Sequence, residues 1–200
     1  MKNKNIGFNS KLIHGGEFND PLGSATVPIY QTSTFKFDSA EHGAACFAGE
    51  SDGYIYTRIG NPTIHALETL LAELENGFGG IATSSGMGAV NTVYGAMLSQ
   101  GDHVVSSAAV YGPSRVVLET YYKKFGIEAT FVNTADIEEV RKAIRPETKL
   151  LYIETPSNPT IEITDLKACC ELAHKHGIPV CVDNTCLLYT SPSPRDYCAH

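Results

Sequence analysis

Asp183 closes an apolar run, "IPVCVD". A carboxylate directly after a buried strand must cap a helix, pair with a charge or serve a ligand, because burying it alone is costly. Three other stretches put chemistry at the same kind of place. After "GIATS" comes Ser85-Gly86-Met87-Gly88, small residues opening a helix, whose backbone N–H groups can approach a phosphate at the positive helix end. After "HVVSSAAV" comes Tyr111, a ring placed to stack on a flat heteroaromatic ligand, and after "KLLYIE" comes "TPSNPT" with Asn158 between two prolines. Taken singly, each has a plainer reading: a tight strand-to-helix turn, a half-buried packing tyrosine, an ordinary turn.

Together the four positions match the needs of one cofactor, pyridoxal 5'-phosphate (PLP). Its phosphate is cradled, its ring stacked, its 3'-oxygen hydrogen-bonded, and its pyridine nitrogen kept protonated by an acid, here Asp183. A protonated ring is an electron sink for a carbanion at a substrate Cα.

The elements that must carry these residues follow from periodicity. "GIATSS", "HVVSS", "IEATFVN", "KLLYIET" and "IPVCVDN" read as strands, separated by the helical stretches "GMGAVNTVYGAMLSQG", "PSRVVLETYYKKFG", "DIEEVRKAIRP" and "TDLKACCELAHKHG". Five strands alternating with helices predict an α/β fold with a largely parallel sheet buried on both faces. In such sheets ligands bind at the carboxyl ends of the strands, where all four positions fall. Ahead of them, "NPTIHALETLLAELENG" predicts an amphipathic helix with Asn61 as cap, Pro62 in its first turn and Gly77 as stop. Residues 1–61, rich in Gly, Pro, Ser, Thr and aromatics, read as an extended arm.

Composition narrows the classes. The chain has 200 residues, 42% hydrophobic and 18% charged, with a net charge of -7 and no long basic run, which argues against nucleic acid or an anionic membrane as partner. The N-terminus has no apolar signal region and no segment is apolar enough to span a bilayer, so a cytoplasmic location is expected. Six cysteines without a CxxC pair read as reduced thiols, and His174 and His176, two apart, do not share a helix face, so no metal site is expected. "GFGGIA" fits a dinucleotide-binding pattern, but it follows a helix instead of a strand, which disfavours a nicotinamide oxidoreductase.

"YTRIGNPT", "SSGMGAV", "YIETPSNPT" and "VDNT", in this order, resemble the Cys/Met-metabolism (trans-sulfuration) family of PLP-dependent enzymes over roughly residues 10–185. The resemblance implies the fold-type I, aspartate aminotransferase-like architecture and a homodimer or homotetramer. It implies that Tyr56 and Arg58 reach the cofactor phosphate of a neighbouring subunit, and that Ser85, Gly86 and Met87 form the phosphate cradle. Tyr111 would stack on the ring and help the leaving group depart, Asn158 would lie near the ring oxygen, and Asp183 and Thr185 would complete the site. The implied chemistry is γ-elimination or γ-replacement on sulfur-containing or O-acylated amino acids, with cystathionine β-lyase chemistry, or a non-catalytic fragment binding PLP or a homologue, as alternatives. Pro113 stands where methionine γ-lyases commonly carry a cysteine, and Cys186 where the family usually has phenylalanine.

No lysine follows Lys175, so the family's Schiff-base lysine is absent and the 200-residue chain is expected to be inactive. The tail from Cys186, with Pro192 and Pro194 in alternation, matches nothing in the family and reads as non-native. The expected organisation is an intersubunit arm at 1–61, a partial PLP-binding domain at 62–185 and a doubtful tail at 186–200.

Overall fold

The structure, a computed structural model, describes residues 7–16 and 20–188. The expected tail falls, from position 189 onward, outside the described residues. The chain divides into two compact units after Ala82.

The first unit holds α1 (Phe8–His14), α2 (Ala40–Ala48) and α3 (Pro62–Leu74). α3 starts as its sequence predicts, with Asn61 Oδ1 accepting from Thr63 N at 2.9 Å and Pro62 in the first turn. It ends differently: Asn76, not Gly77, takes the left-handed conformation, with φ 52°. Asn61 is buried and also donates through Nδ2 to Tyr30 O (2.9 Å) and Thr57 Oγ1 (3.1 Å), so the residue that starts the helix also ties down two extended stretches. Those stretches meet in an antiparallel bridge between Thr34 and Tyr56, flanked by Phe35 N to Ile55 O (3.2 Å) and Thr57 N to Ser33 O (2.9 Å).

The arm is not wholly extended, which corrects the sequence reading. α2 is capped by Ser39, whose side chain accepts from His42 N, and closed by Gly49 at φ 72°. That cap-and-stop pair was visible in the sequence; the short, weakly periodic stretch between masked it. Gly16, at φ 69°, lies against α3: a Cβ there would stand 2.1 Å from Ala66 O. Such ties group α3 with the N-terminal segments, although the composition shift falls at Asn61.

The second unit runs α4 (Gly86–Met97), β1 (His103–Ser107), α5 (Gly112–Val116), β2 (Glu128–Val132), α6 (Ile137–Ala143), β3 (Thr148–Glu154), α7 (Leu166–Lys175), β4 (Val180–Asp183) and α8 (Thr185–Leu188). α5 continues as a π turn over Val117–Tyr121 and a 3-10 turn over Tyr122–Phe125 in place of one regular helix. The sheet has four parallel strands in the order β2-β1-β3-β4. The fifth expected strand, "GIATSS", does not form. Residues 80–85 are exposed and have no ladder partner among the described residues, and an extended segment without a neighbour has nowhere to place its backbone hydrogen bonds.

Strand alternation divides the core in two. Val104, Leu150 and Tyr152 face Val90 and Tyr94 of α4 and Leu118 beyond α5. Val105, Leu151 and Ile153 face Val140 of α6 and Cys169 and Leu172 of α7. The interior strands β1 and β3 are therefore buried between the two layers, which is why they read as apolar runs, while the edge strands β2 and β4 are only partly buried. Among the described residues, no helix is long and apolar enough to cross a membrane.

At the amino end of β1, the end opposite the turns that line the cavity, His103 is 1% exposed, with its two ring nitrogens 2.8 Å from Thr148 Oγ1 and 2.8 Å from Thr130 Oγ1. Burial, and secondarily Arg145, lowers its pKa below the ordinary histidine value. The unfolded chain then takes up the proton first as pH falls. His103 supports the fold fully above its unfolded pKa, and that support is lost as pH falls below about 6.5 toward the lower folded value. Urea midpoints should drop over this window while the His103 ring stays neutral by NMR; a ring titrating at the ordinary histidine pH contradicts this account.

Candidate functional site

The carboxyl ends of β3 and β4, together with the starts of α4 and α5, enclose a cavity of about 420 Å³. Gly86, Met87, Tyr111, Asn158, Asp183 and Thr185 all line it. The volume lies within the usual range for small-ligand sites.

At one wall α4 begins. Ser85 does not line the cavity; its side chain caps the helix, accepting from Gly88 N at 3.0 Å. The Gly86 and Met87 amides belong to the first turn, which has no intrahelical acceptors, and neither finds an acceptor elsewhere among the described residues. A Cβ at Gly86 would meet nothing within 4 Å, so the space beside these amides is open. Open amides at the positive end of a 12-residue helix are an anion cradle. Tyr111, 47% exposed, precedes α5 and its ring is available as a stacking face.

The floor comes from strand register. Tyr152 pairs with Cys181 and Glu154 with Asp183, so these four side chains form a row on one face of β3 and β4. Asp183 is held from two sides. Its Oδ1 accepts from Thr185 Oγ1 (2.6 Å) and Thr185 N (3.2 Å), and its Oδ2 from the Tyr152 hydroxyl (3.3 Å). Burial pushes the Tyr152 phenol well above its usual range, keeping it a donor, and raises the Cys181 thiol to about 11, keeping it protonated at neutral pH. Beneath them the Tyr94 hydroxyl is buried with no hydrogen-bond partner among the described residues, its ring edge-on to Tyr152 at 5.2 Å.

Asn158 sits on an ordered loop. The Ser157 side chain lies 2.7 Å from Thr160 Oγ1 and accepts from Glu162 N at 2.9 Å, while Ser157 N donates to Glu162 O at 3.1 Å. Tyr56 and Arg58 belong to the first unit, where both are exposed and the guanidinium lies 5.3 Å from the Tyr56 ring centroid. Three lining residues, Tyr152, Glu154 and Cys181, were not singled out from the sequence. The signal for them was present: each lies two positions from a neighbour in the row, and two-residue spacing along a strand means a shared face.

Open helix-start amides, an exposed aromatic ring, an amide side chain and a carboxylate lining one cavity suit PLP. The sequence matches the Cys/Met metabolism PLP-dependent enzyme family over residues 9–194. The chain belongs to that family. Among relatives of this trans-sulfuration family, it is 49% identical over 180 residues to an L-methionine γ-lyase of Porphyromonas gingivalis, covering 90% of this chain and 45% of that one. It is 46% identical over 186 residues to a cystathionine γ-lyase of Bacillus subtilis, covering 92% and 45% respectively. The crystal structure of a cystathionine γ-lyase from Lactobacillus plantarum, complexed with L-serine, superposes with a TM-score of 0.80 at 40% identity, over 90% of this chain and 45% of that one. The fold is thus that of the fold-type I PLP enzymes of this family, and the chain spans about half the length of the relatives it matches.

Proposed function

We propose that this protein is the cofactor-bearing part of a PLP-dependent trans-sulfuration enzyme. Its substrates would be sulfur-containing or O-acylated amino acids, processed by γ-elimination or γ-replacement. The observation that carries this reading is the Asp183 carboxylate on the cavity floor, fixed by Thr185 and Tyr152 and facing the same cavity as the open Gly86 and Met87 amides. When bound, PLP supplies an electron sink for negative charge at the substrate Cα. The Gly86 and Met87 amides hold its phosphate, Tyr111 covers the ring face, Asn158 serves the ring oxygen, and Asp183 holds the proton on the ring nitrogen. The exposed Tyr56 and Arg58 are assigned to the phosphate of a second subunit, which makes the working protein a homo-oligomer. The five described cysteines are unpaired, in keeping with a reducing cytoplasmic setting.

Pyridoxamine 5'-phosphate tests the site directly, because it shares the ring and phosphate but lacks the aldehyde that stray lysines trap. The 200-residue chain should bind it at one site per chain, seen by fluorescence titration, with inorganic phosphate competing and NAD ineffective. NAD binding without pyridoxamine 5'-phosphate binding refutes the reading. Substrate class is settled on an in-frame product of the relatives' length, offered L-methionine, L-cystathionine or O-acetyl-L-homoserine with sulfide.

A further inference from the structure

We propose that Glu154 is a positioning residue for this site: one carboxylate that fixes, through two backbone amides, both the turn carrying Tyr111 and the turn carrying Asn158. The inference rests on the reading of the cavity as a PLP site. Glu154 ends β3, is 5% exposed and lines the cavity beside Asp183. Its Oε2 accepts from Tyr111 N at 2.5 Å and its Oε1 from Asn158 N at 3.1 Å. No ion pair among the described residues includes it. A buried carboxylate without a cation is costly, and burial accordingly raises its pKa, with the two amide bonds acting in the opposite sense.

An acid is a poor choice for filling this space. Its distinctive property is that both oxygens accept, and here each takes an amide from a different turn. Those two amides belong to the residues whose side chains present the stacking ring and the ring-oxygen partner. Tyr111 and Asn158 are 47 positions apart in the chain, yet their backbones are referenced to the same rigid strand end. Sites whose ligand-facing groups are held this way keep their geometry; without the support they loosen.

The test uses the 200-residue chain and three variants, Glu154→Gln, Glu154→Ala and Glu154→Asp. Amide hydrogen exchange at Tyr111 and Asn158 is followed by NMR without ligand, and affinity by pyridoxamine 5'-phosphate fluorescence. Glutamine has one acceptor oxygen, so Glu154→Gln should speed exchange about tenfold at one of the two amides and leave the other protected. Glu154→Ala should release both and weaken binding about tenfold. Glu154→Asp keeps the charge but falls short by one methylene, and should follow alanine, not wild type. If Glu154→Ala does not fold, the near-isosteric glutamine variant carries the test. Unchanged protection at both amides, or unchanged affinity once protection is lost, overturns the proposal. A wild-type chain that does not bind pyridoxamine 5'-phosphate overturns the cofactor reading itself, a result distinct from wild type and variants binding equally.

Discussion

Replacing Asp183 with asparagine is expected to weaken pyridoxamine 5'-phosphate binding about 10- to 100-fold while leaving the fold intact. Asparagine has the same shape and keeps an oxygen for Thr185, whose hydroxyl and amide both donate to Asp183 Oδ1. What it loses is the negative charge, together with the second acceptor oxygen, which takes the Tyr152 hydroxyl. A hydrogen bond to a charged group contributes about 1.5–3 kcal/mol, and each 1.4 kcal/mol is about tenfold in affinity. The Tyr152 hydroxyl and Thr185 hold the carboxylate in one orientation, so little ordering is left for the ligand to impose. Fluorescence titration of a variant with an unchanged urea midpoint checks this. Equal affinity in variant and wild type would remove Asp183 from the site.

Ile153→Ala should destabilise the second unit by about 2–5 kcal/mol, the range for truncating a large aliphatic side chain in a packed core. Ile153 is fully buried on β3, an interior strand, among Val105, Val140 and Leu172. It points to the face opposite Tyr152 and Glu154, so the truncation leaves those two cavity-lining side chains in place yet undermines the strand that carries them. Urea unfolding followed by circular dichroism gives the loss directly. A cost below about 1 kcal/mol would mean that the α6 and α7 face is not the close-packed core described.

α3 was legible almost residue by residue at its start, because Asn61 and Pro62 act locally: the cap satisfies an amide two positions on, and the proline has no N–H that needs an acceptor. The four strands that formed were legible as apolar runs for a different reason, since helices cover both faces of the sheet. "GIATSS" has the same apolar character, but a strand also requires a partner, and pairing is not written in the segment itself. At the site, the residues that follow strands stood out from their position alone. For Glu154 the two-residue spacing from Tyr152 marks the face it shares, but not its role, which lies in accepting two amides from distant turns, and a backbone donor leaves no residue-type signature.

The row formed by Tyr152, Glu154, Cys181 and Asp183 makes alignment between β3 and β4 a condition for the cavity floor. Moving β4 by one residue against β3 would turn Cys181 and Asp183 away from Tyr152 and Glu154, and drive a carboxylate toward the apolar layer around Leu172 and Ile178. That misalignment exposes apolar groups and buries a charge at once, so it is rejected on energetic grounds before any ligand arrives. The row thereby serves as proofreading for its own sheet: the residues that line the cavity also penalise the wrong pairing of the strands that hold them.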